Sequence, residues 1–400
     1  MIKEKLKEIV KNNEAKMIEF RRELHKYPEL SMKEFETTKR IAKKLEEIGI
    51  PYRLANPTGI IAEIKGKEDG KTVLLRGDID GLPVRETNDI DYKSVNEGIS
   101  HACGHDTHTS MLLNAASALY QIRDKLKGNV KLVFQPGEET GEGSIAMVED
   151  GVLDNVDNAF GIHIFTSFDT GTIGATTGQT FAANNFLKIK FIGHTTHGST
   201  PQKGVDAMVM AASFVMNVQN IISREVDLLE DPVVLTLGKI NGGEVSNSVC
   251  NEVLIEGGFR SFTTESTEFV KKRIKEMAED TAKTFRGDVN VEFIHGAYPV
   301  YIDENSGNLT RKVAAEIVGE ENVLKDIRFA GSEDFGTYLT GYKNIKGVPG
   351  SFGMIGARNE NPKTHNFNHS SDFFIDEKAM INGALLYALY AYEYLKQEEF

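Results

Sequence analysis

The chain has 400 residues, and its 46 basic and 59 acidic side chains give a formal net charge of −13. This length exceeds what one ordinary hydrophobic core accommodates, so two domains are expected. The excess of acidic residues and the lack of a basic cluster argue against nucleic acid or an anionic membrane as a partner. Two cysteines cannot form a disulfide framework, and no apolar signal core or membrane span is evident. A cytoplasmic location is therefore expected.

The first part of the chain alternates between helical and strand patterns. Leu6, Val10, Met17 and Leu24 indicate a helix over 3–26, and Ser31 is expected to cap a second helix over 32–48. Further helices are predicted at 109–124 and 143–150, and strands at 59–65, 72–80, 129–135 and 158–164. This alternation predicts an α/β domain whose mainly parallel sheet is flanked by helices.

The pattern changes near residue 184. Strictly alternating strands are predicted at 186–192, 233–238, 252–260 and 290–294, with helices at 205–224 and 264–285. These elements indicate an inserted α+β domain with a four-stranded antiparallel sheet and two helices. The earlier pattern resumes after residue 298 and ends in an apolar helix at 380–395. We therefore expect a discontinuous catalytic domain, 1–184 plus 299–400, interrupted by a smaller domain, 185–298.

The segment His101–His108 carries three histidines and one of the two cysteines within eight residues. Imidazole nitrogen and thiolate sulfur are preferred ligands of zinc and similar transition metals. Cys103 and His105 are close enough to meet one metal from a loop before the helix that follows, whose dipole favours a thiolate. His101 and His108 are equally well read as surface or supporting groups.

Other candidate ligands follow predicted strands. Glu138 and Glu139 lie in a tight turn after a strand, where one can bind metal and the other can stay free as a base. His163 ends another apolar strand, and His369 lies in a polar loop. The carboxyl ends of strands are where open α/β sheets bind ligands.

Cys103, His105, Glu139, His163 and His369 together suit two metal ions if one ligand bridges them. A thiolate or a carboxylate can bridge, and Cys103 is the only thiolate candidate. Two such ions polarise a water molecule and lower its pKa. Ligands of these types accept zinc, manganese, cobalt or nickel, so they do not identify the native metal.

Several motifs in order resemble the metal-dependent amidohydrolase and aminoacylase family that includes hippurate hydrolase, indole-acetyl-amino-acid hydrolases and N-acetyl-diaminopimelate deacetylase. The resemblance covers nearly the whole chain. It rests on Leu24–Ser31, Leu75–Val84, His101–Asp106, Gln135–Glu139, Gly161–His163, His197 with Pro201 and Asp206, Gly242-Gly243 with Asn247 and Arg260, Ser332–Phe335, and His369 with Phe373–Glu377.

The resemblance implies roles for the metal-site residues. Cys103 would bridge the ions, His105 and His163 would complete one site, and Glu139 and His369 would complete the other. Glu138 would be the general base that deprotonates the bridging water and later protonates the leaving amine. Asp80 would orient the ligands.

The resemblance also implies that the inserted domain is a lid through which two chains form a homodimer or a tetramer. His197 would stabilise the oxyanion, in its own or a neighbouring site. Asn247 and Arg260 would hold the substrate.

This chain departs from the family pattern in some loops. The family's usual Asn-x-Ile-Pro is Asn247-Ser-Val-Cys250 here, and Ser371 replaces a usual proline. His365 lies four residues before His369, so either histidine could be the last metal ligand. The Phe373–Glu377 tail favours His369.

Three functions suit a site of this kind. The leading one is hydrolysis of the amide bond of an N-acyl amino acid, such as N-acetyl-diaminopimelate or a hippurate-type compound. A dinuclear di- or tripeptidase is disfavoured, since Asp78-Ile-Asp80 and Cys103 replace the His-x-Asp and bridging Asp usual in such enzymes. A non-catalytic metal-binding protein is disfavoured because Glu138 accompanies Glu139, and a structural site needs only the ligands.

Overall fold

The computed structural model describes residues 2–396, and this part of the chain divides into two compact units. The first unit runs to Gly178 and resumes with Ile302–Arg328 and again from Asp334 onwards. The second unit comprises Gln179–Tyr301 and the short segment Phe329–Glu333. The catalytic role of the first unit and the lid role of the second stay predictions.

The helices and strands are numbered in chain order. Up to the second unit they are α1 (Ile2–Asn12), α2 (Glu14–Lys26), α3 (Phe35–Ile48), β1 (Tyr52–Leu54), β2 (Ile60–Lys65), β3 (Glu68–Asp78), α4 (His105–Gln121), β4 (Lys127–Gln135), α5 (Glu142–Glu149), β5 (Asn158–Asp169) and β6 (Ile173–Ala175). There follow β7 (Gly178–Phe181), β8 (Ala183–Ile192), α6 (Ala207–Asn217), β9 (Val234–Gly242), β10 (Glu252–Ser261), α7 (Thr264–Thr284), β11 (Asp288–Ala297) and β12 (Val300–Ile302). The chain ends with α8 (Glu304–Val318), β13 (Val323–Leu324), α9 (Gly336–Thr340), β14 (Gly341–Tyr342), β15 (Ile345–Lys346), β16 (Gly350–Arg358) and α10 (Met380–Lys396).

The first unit is built on an eight-stranded sheet of order β1-β2-β4-β3-β5-β16-β6-β13. The four central strands β4, β3, β5 and β16 run parallel to one another, whereas β2 is antiparallel to β4 and β6 is antiparallel to β16. Val73–Leu75 of β3 and Leu132–Phe134 of β4 are buried as continuous apolar runs, which is typical of a parallel sheet covered on both faces. Asp78 pairs with Gln135, so β3 and β4 end side by side at one edge of the sheet. The predicted α/β fold is confirmed.

Helices α4 and α10 are buried along most of their length and pack against each other and the sheet. Two predictions at the N-terminal helices were wrong. The helix predicted over 3–26 is interrupted at Asn13, and the second helix begins at Phe35 rather than after Ser31. Ser31 does not cap that helix, because its hydroxyl donates to Asp80 Oδ2 at 2.7 Å.

The second unit contains the predicted four-stranded antiparallel sheet, of order β11-β8-β10-β9. Helices α6 and α7 pack on it, and the core between them includes Phe191, Phe214, Phe259 and Ile274. The alternating apolar residues of β8 make one face of the sheet the core face, as the sequence pattern predicts. None of the helices within residues 2–396 combines the length and the apolar character that crossing a membrane requires.

Candidate metal centre

The loop before α4 brings Cys103 and His105 to one place. Gly104 between them has φ +90°, and a Cβ there would lie 2.5 Å from Ile164 Cγ2. Both the backbone conformation and the close approach to β5 therefore require glycine. His105 is the first residue of α4, so the loop and the helix end hold the thiol and the imidazole in fixed positions.

Cys103, His105 and His163 form the first candidate ligand group. Their ligand atoms all lie within 4.8 Å of one another, and all three residues are buried. The Cys103 Sγ lies 3.3 Å from Nε2 of His163, which is carried by β5. Helix α4 and strand β5, far apart in sequence, thus converge on one point.

The second nitrogen of each histidine fixes its tautomer. Nδ1 of His105 donates to Asp80 Oδ1 at 2.9 Å, and Nδ1 of His163 donates to the carbonyl oxygen of Ile164 at 2.8 Å. Nε2 of each histidine is therefore the nitrogen left to bind a metal ion. Nε2 of His105 is buried without a hydrogen-bond partner among the described residues.

Cys103, Glu139 and His369 form the second candidate group. Nε2 of His369 lies 3.3 Å from Cys103 Sγ and 3.5 Å from Glu139 Oε1. Glu139 Oε1 is also buried without a hydrogen-bond partner in this part of the chain. Cys103 belongs to both groups, which is the arrangement expected of a bridging ligand.

The donor set fits divalent metal ions. Two buried atoms without partners, Nε2 of His105 and Oε1 of Glu139, lie 3.8 Å apart and face each other. Unsatisfied buried polar atoms cost about 1–3 kcal/mol each, so metal ions bound at these two atoms would remove that cost. Nitrogen, sulfur and carboxylate oxygen are together the ligands of zinc and similar ions.

The charges of the metal-free residues agree with that assignment. Burial raises the pKa of Cys103 well above its usual range, and Glu139 raises it further. Burial also raises the pKa of Glu139 to about 7. Although burial disfavours its charged form, Asp78 and Cys103 raise the pKa of His105. A raised pKa favours the protonated form of each of these three groups, and a bound cation displaces such protons, so metal binding should release protons.

Glu138 lies beside this centre in the turn that follows β4. Its Oε2 is 3.8 Å from Nε2 of His105, and its Oε1 accepts a hydrogen bond from the backbone N–H of Asp334 at 3.4 Å. The side chain is 11% exposed, whereas His105 is fully buried. Glu138 and Glu139 both reach His105, since Oε2 of Glu138 and Oε1 of Glu139 each lie 3.8 Å from its Nε2, but only Glu139 belongs to the Cys103–His369 group.

His108 supports the centre and has no atom left for a metal ion. Its Nδ1 donates to Asp78 Oδ1 at 2.6 Å, and its Nε2 accepts the backbone N–H of Ile164 at 2.9 Å. Because a backbone N–H can only donate, the imidazole is neutral. His101 is buried, neither of its nitrogens has a hydrogen-bond partner among the described residues, and burial lowers its pKa to about 4.

His365, the alternative last ligand, lies apart from these groups. Its Nε2 donates to the carbonyl oxygen of Asn359 at 2.8 Å. His369 has φ +72°, and its backbone N–H donates to Ala102 O at 2.7 Å, so this loop is tied to the metal loop itself. The geometry therefore favours His369.

A buried ion cluster under the centre was not identified as functional from sequence. The Arg76 guanidinium bridges the carboxylates of Asp78 and Asp334 and donates to Gln135 Oε1 at 2.9 Å. All four side chains are buried. In the sequence, the only indication of a role for Arg76 and Asp334 is that each belongs to one of the motifs that carry the resemblance.

The other predicted site residues lie on the second unit. His197 is exposed, and its Nδ1 is 2.7 Å from the hydroxyl of Ser199. The N–H of Gly198 donates to Asn247 O at 2.7 Å, so the loops of His197 and Asn247 are paired. Arg260, on β10, donates to the Ser332 hydroxyl at 3.3 Å.

Known proteins resemble this chain over nearly its whole length. The family model Peptidase family M20/M25/M40 matches residues 74–393. N-acetyl-L-cysteine deacetylase of Bacillus subtilis is 39% identical over 378 residues, 94% of this chain and 87% of the relative. Thermostable carboxypeptidase 2 of Saccharolobus solfataricus is 34% identical over 395 residues, 98% of each chain.

A solved structure gives the same result. The Bacillus subtilis YXEP protein, described with its crystal structure as a dinuclear metal binding peptidase from the M20 family, superposes with a TM-score of 0.82. It is 30% identical, and the match covers 96% of this chain and 99% of that one. The resemblance predicted from the motifs is confirmed, and the chain belongs to Peptidase family M20/M25/M40.

Proposed function

We propose that this protein is a metal-dependent amidohydrolase that cleaves the amide bond of an N-acyl amino acid with two divalent metal ions. The observation that carries the proposal is the pair of ligand groups that share Cys103, with Glu138 beside them. Relatives support the reaction class, since one is named a deacetylase and another a carboxypeptidase, and both names denote amide hydrolysis. The YXEP protein supports the number of metal ions.

In this proposal the ligands divide as the geometry groups them. His105 and His163 would hold one ion, Glu139 and His369 would hold the other, and Cys103 would serve both. Asp80 keeps His105 in the tautomer that presents Nε2. Bound ions supply polarisation of a water molecule and of the substrate carbonyl.

Glu138 is the proton carrier of the proposed reaction. Its carboxylate takes a proton from the attacking water and delivers it to the leaving amine, so one residue acts as base and then as acid. Glu138 is suited to this role because it lies beside the ligand groups without belonging to the Cys103–His369 group or the Cys103–His163 group.

A substrate panel tests the proposed function. The purified protein, loaded in turn with zinc, manganese, cobalt and nickel, is assayed on N-acetyl amino acids, N-acetyl-diaminopimelate, hippurate-type compounds and dipeptides. We expect turnover on at least one N-acyl amino acid, exceeding that on any dipeptide. Preference for dipeptides would favour the peptidase alternative, and tight metal binding without amidase turnover would favour a non-catalytic protein.

Cys103→Ser tests the bridge. A serine hydroxyl is not deprotonated at neutral pH, so it cannot replace a bridging thiolate. We expect this variant to lose bound metal and activity together, as measured by metal analysis and steady-state kinetics. Cys250→Ser is the matched control, since that buried thiol donates to the backbone oxygen of Glu252 and is in none of the ligand groups. Full metal occupancy with unchanged turnover in Cys103→Ser would remove Cys103 from the site.

We further propose that two chains form a homodimer through the second unit. Strand β9 is at the edge of its sheet, and Val234 and Ile240 on it are 54% and 55% exposed. Met216 on α6 is 74% exposed. A long edge strand with exposed apolar residues pairs readily with another chain, and a two-fold axis lets the same strand meet its copy. Light scattering should return about twice the chain mass of 44.3 kDa.

His197→Ala tests the proposed oxyanion donor. We expect the variant to keep both ions and its fold, and to lose about 10²–10³-fold in turnover number, the effect of one missing donor. If His197 acts across the dimer, mixing His197→Ala with an inactive Glu138 variant should restore part of the activity through hybrid dimers. No recovery after verified subunit exchange would exclude the action across the dimer.

The proposed partners are small molecules and a second copy of the chain. Asn247 and Arg260 are proposed to hold the substrate carboxylate or carbonyl. The proposed location is the cytoplasm, supported by the two unpaired cysteines, Cys103 and Cys250.

A further inference from the structure

The turn that carries Glu138 is fastened on both sides by buried carboxylates. The backbone N–H of Glu139 donates to Asp80 Oδ2 at 3.1 Å, and that of Gly137 donates to Glu34 Oε1 at 2.8 Å. The two amides that flank Glu138 are thus each held by an acid from another part of the chain. Asp80 also orients His105, whereas Glu34 has no role in the metal centre described above.

Glu34 is built into the segment between α2 and α3, and its side chain is fully buried. Its Oε1 also accepts the backbone N–H of Met32 at 2.8 Å, and its Oε2 accepts the hydroxyl of Thr58 at 2.6 Å. The carboxylate therefore has three donors, from three separate stretches of chain. Such fully satisfied buried networks fix geometry more strongly than single exposed hydrogen bonds.

The turn is closely packed at Gly137. Gly137 has φ +57°, and a Cβ there would lie 2.6 Å from the Met32 sulfur. Met32, which also has a positive φ of 63°, thus packs directly on the turn that Glu34 holds. The segment Ser31–Glu34 thus supplies one of the two acids that fasten the turn, Glu34, and its Ser31 donates to the other, Asp80.

We propose that Glu34 is a positioning residue, whose carboxylate oxygen fixes the Gly137 amide and thereby the place of the Glu138 carboxylate. This inference rests on the proposed function for its kinetic consequence only. A general base must lie within hydrogen-bond reach of the proton that it takes, and a misplacement of about 1 Å costs roughly 10²-fold in rate.

Three substitutions separate position from charge. Burial, and secondarily repulsion from Asp80, raise the pKa of Glu34 to about 7 despite the Thr58 hydrogen bond. An uncharged side chain of the same length is therefore close to a form that the protein already populates near neutral pH. Glu34→Gln keeps an oxygen at the Gly137 amide, Glu34→Asp keeps the charge but withdraws the oxygen by one methylene, and Glu34→Ala removes the acceptor.

The first measurement is hydrogen exchange of the Gly137 amide in the metal-free protein. We expect fast exchange in Glu34→Ala and Glu34→Asp and protection in Glu34→Gln. Glu36→Ala is the matched control, because Glu36 is exposed, lies two residues away and pairs with Lys39 on the surface. This readout does not depend on metal or substrate, so it stands even if the proposed function fails.

The second measurement is the separation of kcat from KM in the metal-loaded protein. We expect kcat to fall about 10–10²-fold in Glu34→Asp and Glu34→Ala, with KM and two bound ions retained, and to recover in Glu34→Gln. If Glu34→Ala does not fold, Glu34→Asp decides. Wild-type exchange and kcat in Glu34→Asp would overturn the proposal. So would loss of bound metal together with kcat, or a Glu34→Gln variant as slow as Glu34→Asp.

Discussion

Glu138→Gln should lower the turnover number by about 10²–10⁴-fold while both metal ions stay bound. Glutamine has the same length and fills the same space, and its amide oxygen can still accept the N–H of Asp334. It cannot take a proton from water at neutral pH. The loss should therefore fall on kcat, with KM nearly unchanged, in steady-state kinetics on the best N-acyl substrate.

Glu139→Gln separates the two adjacent acids. Glu139 Oε1 lies 3.5 Å from Nε2 of His369 and has no hydrogen-bond partner in the described chain, so replacing this charged ligand by a neutral amide should release metal. Glu142→Gln, an exposed acid in the next helix, is the control that should change neither property. If Glu138→Gln releases metal and Glu139→Gln retains it, the roles of the two acids are reversed.

The fold could be predicted from the sequence because its elements have local patterns. The apolar runs of β3, β4 and β5 and the alternating residues of β8 indicated two kinds of sheet. The rule that parallel strands end at a common edge then placed Glu139 near His163. His369 follows no such rule, since it comes from a polar loop whose place is set by the hydrogen bond of its backbone to Ala102.

The supporting residues could not be predicted in the same way. Ser31 has the chemistry of a helix cap, and the local pattern predicted that role, but its hydroxyl instead meets Asp80, 49 positions away. Arg76 and Asp334 are 258 positions apart, and the residues next to each of them in sequence do not indicate that the two side chains will pair. Contacts of this kind depend on the completed sheet, and a propensity for local structure carries no information about them.

The ion cluster of Arg76 has a large expected effect on stability. Although burial disfavours its charge, His105, Arg76 and His108 hold the pKa of Asp78 well below its usual range. Burial raises the pKa of Asp334 in spite of Arg76. One guanidinium thus contacts two buried carboxylates. Its planar array of N–H groups can donate to both at once, a geometry that a lysine ammonium does not offer.

Arg76→Met should lower the free energy of unfolding by about 3–5 kcal/mol, the cost of leaving a buried charge without its partner. Urea unfolding in the presence of a chelator measures this without a contribution from bound metal. Arg53→Met, which breaks an exposed ion pair with Asp150, should cost less than about 1 kcal/mol. A wild-type urea midpoint for Arg76→Met would show that the carboxylates need no guanidinium.

The pH dependence identifies the cause of that loss. Without Arg76, Asp334 loses its cationic partner, whereas Asp78 keeps His105 and His108, so the pKa of Asp334 in the folded variant should rise further above that of the unfolded chain. The penalty is then fully present when the unfolded carboxyls are ionised and shrinks as protons bind at lower pH. Arg76→Met should therefore fall further behind the wild type at about pH 7.5 than at about pH 5. Adding Asp334→Asn should recover stability near neutral pH, because the carboxylate that lost its cationic partner is gone. A double variant no more stable than Arg76→Met would assign the loss to packing instead.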